Sequence, residues 1–480
     1  MKWVKKQSYF YNMVNKFIPE GYKNLEVVDI TNRGMGVVKS QQGKVIFVSG
    51  VIPGDKINIE TYKKRRGYFE ANLIKILEPS PNRIAPQCIH FGICGGCKWQ
   101  NMNYEAQLHF KQKEITHNLK NFSGMIIPEI DEIQAAPKPY FYRNKMEYAF
   151  SNQRWLTSEE ITNKLLPIEK KGLGFHKAGM WDKVVDIQQC HLQPEPANQI
   201  RNTIKTFALE HGLDFFNPRE QKGFLRSLMI RNSSHGEFMV LIQFFKENKA
   251  QREALLEHLK KHFDITSLLY CINSKANDTL YDQEIICYDG KTFIMEEMEG
   301  LNFKINAKSF FQTNTEQAYE LYKITRDFAG LKGKELVYDL YTGTGTIAQF
   351  IAKDCNRVIG VESVPEAIEA ANTNAKENGV KNAFFEVGDM RRVFNQDFIN
   401  RHGKADVVIT DPPRNGMHPA VVKQLLFLEP EKIVYVSCNP SSQARDLFLM
   451  KDHYKLVRSK AIDLFPQTQH VENVVLLEKI

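Results

Sequence analysis

The sequence predicts an α/β protein whose C-terminal part is a doubly wound, Rossmann-like sheet, preceded by an OB-like β-barrel and a mixed α+β middle domain. Three observations carry this prediction. From about residue 306, the apolar runs ELVYDLY, RVIGVES, NAFFEVGD, ADVVITDPP and KIVYVSCNP alternate with helical segments, as parallel strands joined by crossover helices do. Residues 20–78 hold short β-rich runs separated by Gly, Asn and Asp, which suits a small barrel. Between them, KMEYAF, LMIRN, EFMVLIQFF and SLLYCIN are divided by polar turns and read as a largely antiparallel sheet.

A chain of 480 residues is too long for a single core, and the texture divides it at 1–84, 85–305 and 306–480. No apolar run approaches a membrane span, and the start MKWVKKQSYF lacks the apolar core of a secretory signal. Eight scattered cysteines do not make a disulfide scaffold. The expectation is a cytoplasmic protein.

Residues 1–84 hold 15 Lys and Arg against 7 Asp and Glu, which accounts for the whole net charge of +8. A basic end on a neutral body suits docking to a polyanion, although a solvated Lys-rich surface explains the charge equally well. Within the barrel, Lys63-Lys64-Arg65-Arg66-Gly67-Tyr68-Phe69 sets four cations beside two aromatics, a mixture fit for phosphates and stacked bases. Pro79, Pro81 and Pro86 then mark a linker. Past it, Cys88, Cys94 and Cys97 crowd together before a helix-like stretch from Tyr104 to Leu119. The polar residues 153–171 look like an insertion.

Ligands of a doubly wound sheet bind at the carboxyl ends of its strands. The first strand runs into Tyr341-Thr342-Gly343-Thr344-Gly345-Thr346, where glycines allow a sharp turn and close approach. The second ends at Glu362, placed to accept ribose hydroxyls. The third ends at Asp389, suited to an adenine edge, and the fourth at Asp411-Pro412-Pro413-Arg414. Neither GxGxxG nor GxxxxGK[ST] occurs, which weakens dinucleotide and triphosphate readings. Each of these residues alone is most simply structural. The ordered set looks like a class I methyltransferase.

The strand KIVYVS delivers Cys438, in Ser437-Cys438-Asn439-Pro440, one strand beyond Asp411. Cysteines are most often small buried hydrophobes, which is the reading for Cys271 and Cys355. Cys438 differs because its strand stops there, at the mouth of the expected cleft. Carbon 5 of uracil is too weak a nucleophile to take a methyl unaided. Thiolate addition at carbon 6 makes an enolate whose carbon 5 can attack. A base must then remove the carbon 5 proton, and Glu472 in FPQTQHVE offers a carboxylate. His470 is the rival, read as a packing or hydrogen-bonding residue.

Together, DPPR, SCNP, HVE and the upstream Ser309-Phe310-Phe311-Gln312-Thr313-Asn314 resemble the TRAM-containing RNA (uracil-5-)-methyltransferases, notably the bacterial 23S rRNA enzymes. The resemblance covers nearly the whole chain. It implies a basic TRAM barrel for RNA docking at 1–84, a central domain with an iron–sulfur cluster and RNA contacts at 85–305, and a catalytic domain at 306–480. It implies Cys438 as nucleophile, Glu472 as base, and an S-adenosylmethionine site at Gln312, Tyr341, Gly343, Thr346, Glu362, Asp389 and Asp411. Thr346 departs from relatives, where an amide residue is frequent.

Cys88-x5-Cys94-Gly95-Gly96-Cys97 is one thiolate short of a tetrahedral set, and Cys190 is the natural fourth. Four thiolates suit zinc or an iron–sulfur cluster. Spacing alone favours zinc, whereas the resemblance implies [4Fe–4S] as a structural staple. The resemblance also implies RNA as partner, 23S rRNA ahead of a tRNA loop uridine. A target uridine must be turned out of its stack. Arg143, Asn144 and Lys145, with Phe175 and His176, are candidate RNA contacts, as are Arg226 and Arg231. Rival readings are cytosine-5 methylation, amino-group methylation of a base, and a non-catalytic RNA-binding or ribosome assembly factor. The pair Cys438 and Glu472 speaks against amino-group methylation, and intact Cys438, Glu472 and Asp411 speak against the non-catalytic reading.

Overall fold

The N-terminal runs close into a barrel in the computed structural model, which describes residues 22–162 and 168–480. Residues 1–21 of the basic segment and 163–167 of the polar insertion lie outside the described residues. Strands β1 (Leu25–Ile30), β2 (Gly36–Lys39), β3 (Val45–Val48), β4 (Lys56–Lys64) and β5 (Phe69–Glu78) follow the order β1-β2-β3-β5-β4, with β1 also paired to β4. Alternate residues Val27, Val38, Ile46, Val48, Ile57 and Ile59 fill the interior, as the two-residue period of a strand requires. Asp55 ties the barrel to the chain after it. Burial alone would raise this carboxyl, but Arg83 and the Ile52 and Ser80 amides hold it below its ordinary range.

The chain divides into two compact units. One holds Met1–Gln87 and Cys97–Phe110, the other Cys88–Gly96 and Lys111–Ile480. Beside the barrel, the smaller unit has a cluster of Ile52, Trp99, Met102 and Ala106. Helix α1 (Tyr104–Phe122) runs on into the larger unit.

The larger unit contains two principal sheets. Its strands are β6 (Asp131–Gln134), β7 (Lys145–Ser151), β8 (Gly172–His176), β9 (Val184–Asp186), β10 (Leu225–Asn232), β11 (Phe238–Phe244), β12 (Ser267–Ile272) and β13 (Ile286–Gly290). Seven of these, in the order β13-β12-β11-β10-β7-β8-β9, form one sheet. All its pairings are antiparallel except β11 with β12, which are joined by a helix at Lys249–His262. A hairpin, β14 (Phe293–Met298) and β15 (Leu301–Asn306), leads to helix α2 (Thr315–Ala329).

The second sheet adds β16 (Leu336–Leu340), β17 (Arg357–Glu362), β18 (Ala383–Val387), β19 (Val407–Thr410), β20 (Lys432–Ser437), β21 (Tyr454–Ile462) and β22 (Glu472–Lys479). Its order is β18-β17-β16-β19-β20-β22-β21-β6. Strands β16 to β20 are parallel and coincide with the five apolar runs, while β22 is antiparallel to β20. The order reverses beside β16, so the switch point opens between β16 and β19. The edge strand β6 comes from residue 131, far upstream of 306. One continuous core joins Met229, Leu241 and Leu269 of the first sheet to Phe303, Val337, Val358 and Val434. Among the described residues, no helix is long and apolar enough to cross a membrane.

Candidate active site

At the end of β16 the chain turns left-handed three times, at Tyr341 (φ 61°), Gly343 (φ 55°) and Gly345 (φ 74°), before helix α3 (Thr346–Ala352). A Cβ on Gly345 would stand 2.6 Å from the Phe385 ring, so this glycine serves packing. A Cβ on Gly343 would meet nothing within 4 Å. The backbone there borders open space, the approach a ligand needs. The Gly343 amide points to Glu362 Oε2 at 3.4 Å, while Glu362 Oε1 accepts from the Ser363 amide (2.6 Å) and hydroxyl (2.9 Å). The Glu362 carboxylate is thus fixed at the end of β17. Asp389, past β18, is gripped through both oxygens by Arg391 (3.0 and 2.7 Å), which pulls its carboxyl down to about 2. Thr346 is buried with its hydroxyl 3.3 Å from that of Thr344. Gln312 is half-buried, and its carbonyl accepts from the Asn144 amide group at 2.9 Å.

Asp411, Glu472 and the Cys438 thiol lie within electrostatic reach of one another at the end of this sheet. Ser437 pairs with Asn473 across β20 and β22, so Cys438 and Glu472, the next residues outward, leave their strands at the same level. Cys438 is half-buried, with a free thiol. Burial first, then the charges of Glu472 and Asp411, push that thiol up to about 12, against the pull of Arg414. Glu472 is only 3% exposed, and burial reinforced by Asp411 holds its carboxyl well above the usual range, with Arg414 again opposing. Asp411 is raised to about 7 by burial and by the charge of Asp339. Asp339, 1% exposed with Oδ1 unpartnered, is likewise raised to about 7, burial being the main cause. Asp339, Asp411 and Glu472 thus hold their protons more tightly than ordinary carboxyls, and a neighbouring cation would favour their ionised forms.

The loop before Glu472 is anchored from below. Lys111 on α1 is fully buried and bonds Asp463 Oδ1 (2.6 Å) and the Phe465 carbonyl (3.1 Å). Tyr142 donates to the Pro466 carbonyl (3.0 Å), and Asn314, the N-cap of α2, donates to the Leu464 carbonyl (3.0 Å). The Gln312 segment and the Glu472 loop are therefore tied to one scaffold. His470 lies 3.3 Å from Arg414. Burial and the cations Arg414, Lys111 and Arg143 push its imidazole down to about 4, so it is a neutral acceptor for Arg414 near neutral pH. Sequence reasoning missed Asp339, Lys111 and the electrostatic part of Arg414. A lone acid inside the apolar run VYDLY was a signal for Asp339; Lys111 gave none.

Several expected RNA contacts take structural roles instead. Arg226 is buried and bonds the carbonyls of Asn273 (2.7 Å) and Lys275 (2.6 Å). Arg231 is buried on the Ser309 carbonyl at 2.5 Å. Asn144 braces Gln312 and Thr315. Phe175 packs on Tyr148 in a tilted ring pair, with centroids 4.9 Å apart. Arg143 and Lys145 are half-buried, and His176 is exposed. In the barrel, residues 63–67, the end of β4 and the turn after it, form an exposed basic stretch, with Tyr68 packed on Phe47.

Cys88, Cys94, Cys97 and Cys190 stand outside any disulfide and are partly exposed. Burial pushes up the thiols of Cys88 and Cys190, and Cys190 also feels Cys88. The Cys190 amide donates to Asn198 (2.8 Å), and Cys94 forms a bridge to Lys177. Among the described residues, no three of His, Cys, Asp or Glu are gathered in an arrangement able to hold a metal ion.

A model of the tRNA (uracil-5-)-methyltransferase family matches residues 235–480. Two relatives are each described as an uncharacterized RNA methyltransferase. That of Bacteroides thetaiotaomicron is 51% identical over 438 residues, covering 90% of this chain and 96% of its own. That of Porphyromonas gingivalis is 50% identical over 461 residues, covering 94% and 99%. Among solved structures, the Pyrococcus abyssi tRNA (uracil-54, C5)-methyltransferase in complex with S-adenosyl-L-homocysteine matches 94% of this chain and 99% of its own, with a TM-score of 0.74 and 30% identity.

Proposed function

Since the chain belongs to the tRNA (uracil-5-)-methyltransferase family and is an S-adenosylmethionine-dependent RNA methyltransferase, we propose that it forms 5-methyluridine at a specific uridine of 23S rRNA, with Cys438 as nucleophile and Glu472 as base. The observation that carries this reading is the register of β20 against β22, which levels Cys438 with Glu472 beside Asp411.

In this mechanism the Cys438 thiolate adds to carbon 6 of the flipped uracil, and the electron pair of the 5,6 double bond moves toward the carbon 4 oxygen. Carbon 5 becomes nucleophilic. S-adenosylmethionine, when bound, supplies an electrophilic methyl on a sulfonium centre. Gln312, Tyr341, Gly343, Thr346, Glu362, Asp389 and Asp411 would hold it. The fit is supported by the open space at Gly343, the fixed Glu362 carboxylate and Asp411, whose ionised form a sulfonium would favour. Glu472 then removes the carbon 5 proton, the double bond reforms and the Cys438 thiolate leaves. Arg414 favours the ionised forms of both groups, which this sequence needs in turn.

The rRNA substrate rests on the sequence resemblance, with the basic barrel at 1–84 as docking module, the central part at 85–305 and the catalytic domain at 306–480. A tRNA loop uridine is the second reading, favoured by the similarity to the Pyrococcus abyssi enzyme over 94% of the chain. Cys88, Cys94, Cys97 and Cys190 are proposed, on the resemblance, to hold a [4Fe–4S] staple, with zinc, which spacing alone favours, as the alternative. Iron, acid-labile sulfide and zinc per chain in anaerobically purified protein decide between them, and none of the three sinks the cluster. A cytoplasmic location follows from an RNA substrate.

The test is methyl transfer from labelled S-adenosylmethionine to unmodified 23S rRNA and to unmodified tRNA, with Cys438→Ala alongside. Label recovered as 5-methyluridine from wild type alone supports the reaction, and the RNA that carries it identifies the substrate. No label in either RNA leaves the non-catalytic RNA-binding or assembly role.

A further inference from the structure

The hairpin between β8 and β9 carries an apolar, cationic tip that the reaction above does not use. Its turn is closed by the Lys177 amide on the Lys183 carbonyl (2.8 Å) and the Met180 amide on the Lys177 carbonyl (2.9 Å), with Gly179 at φ 77°. The left-handed glycine turns the chain so that Met180 and Trp181 face solvent, 41% and 65% exposed. A single exposed apolar side chain is ordinary. Here the surroundings are selective. Lys177 lies over the Trp155 ring (5.4 Å) and Lys183 reaches Gln153 (3.1 Å). The one acid of the tip, Asp182, is buried and already neutralised by Arg219 (2.6 Å). An exposed indole among cations, with its nearby carboxylate spent, complements an unpaired base flanked by phosphates.

We propose that Trp181 is a stacking platform for an unpaired base of the substrate RNA, with Lys177 and Lys183 on the adjoining phosphates. The proposal rests on the RNA-substrate reading above and adds a recognition residue to it. The indole is held out by a short, hydrogen-bonded turn in the same unit as Cys438, so stacking would add affinity and fix register without touching the reacting atoms. Trp181 is a positioning residue in this scheme.

The experiment uses the full chain carrying Cys438→Ala, so that binding is read without turnover, and unmodified 23S rRNA and tRNA transcripts as probes. Trp181→Ala should weaken binding of the preferred transcript about 5- to 150-fold, the range for losing one stacked base. Trp181→Phe should restore most of it, and melting temperature should not change. Indole emission should be quenched by RNA, and the quench should vanish in Trp181→Phe. In the Cys438 enzyme, Trp181→Ala should raise KM for RNA and leave kcat and S-adenosylmethionine affinity unchanged. Unchanged RNA affinity in Trp181→Ala overturns the proposal, as does a kcat loss with KM unchanged. Failure of methyl transfer with Trp181-dependent RNA binding retained would sink the catalytic reading alone, whereas failure to bind either transcript would sink both.

Discussion

Ser437 faces Asn473 across the antiparallel pair β20 and β22, and this one register sets Cys438 and Glu472 side by side at the end of the sheet. A slip of one strand by one residue would turn its side chain to the other face and part the two groups. The proposed division of labour therefore predicts different failures for the two residues. Cys438→Ala should give neither product nor adduct. Glu472→Gln should keep the nucleophile but lose the proton acceptor, lowering turnover about 10²- to 10⁴-fold. It should also accumulate a covalent RNA–protein complex that survives denaturing electrophoresis. An adduct in Cys438→Ala, or none in Glu472→Gln with label still transferred, would refute the assignment.

The thiol's own titration gives a second prediction. Burial, then Glu472 and Asp411, push Cys438 up to about 12, and Arg414 works the other way. Removing the cation in Arg414→Leu should raise the thiol further, so its alkylation by iodoacetamide slows at any given alkaline pH. Glu472→Gln removes a negative neighbour and should speed it. Rates measured across mildly alkaline pH must move in opposite directions in the two variants; movement in the same direction would show that the groups are not coupled as described.

Lys111 and Asp463 are both fully buried and 2.6 Å apart, and Lys111 also holds the Phe465 carbonyl. Removing one partner of a buried pair strands the other charge, at a cost of about 3–5 kcal/mol. Lys111→Met should therefore unfold at lower denaturant, and Lys111→Met with Asp463→Asn should recover most of that loss. Turnover should stay depressed in the double variant, because the loop that presents Glu472 has lost its tether. Full recovery of turnover would show that the pair serves stability alone.

Local pattern made much of this fold legible. The five apolar runs announce β16 to β20 because a parallel strand buried on both faces is apolar throughout. Gly343, Glu362, Asp411 and Cys438 could be located because they follow the ends of those runs. What escaped depends on distant pairing. Nothing in Asp131–Gln134 shows that it will lie beside Lys460, and nothing near Lys111 shows that Asp463 awaits it. Arg226 and Arg231 read as RNA contacts because cations in a polar context usually face solvent. They are instead drawn inward by the carbonyls of Asn273, Lys275 and Ser309, acceptors that only the tertiary fold supplies.

Asp339 and Asp411 supply the last prediction. Each carboxyl rises from an ordinary 3.8 to about 7, so ionising it is harder in the folded chain than in the unfolded one. The sign follows from linkage: ligand-free stability should fall as pH rises from about 4 to about 7 and level off beyond, by a few kcal/mol per acid at ~1.4 kcal/mol per pH unit. Asp339→Asn removes its own share and the charge that raises Asp411, and should be more stable than wild type at neutral pH without ligand. Once ionised, the same acids attract a sulfonium. S-adenosylmethionine affinity should therefore rise with pH through about 7, and in Asp339→Asn that rise should shift to lower pH. S-adenosylhomocysteine has a neutral sulfur and should show little of this dependence. Calorimetric titration of both ligands across pH 5.5–8.5, a window bracketing the titration at about 7, separates the cases. Equal pH dependence for the two would mean that the buried acids do not act on the sulfonium charge.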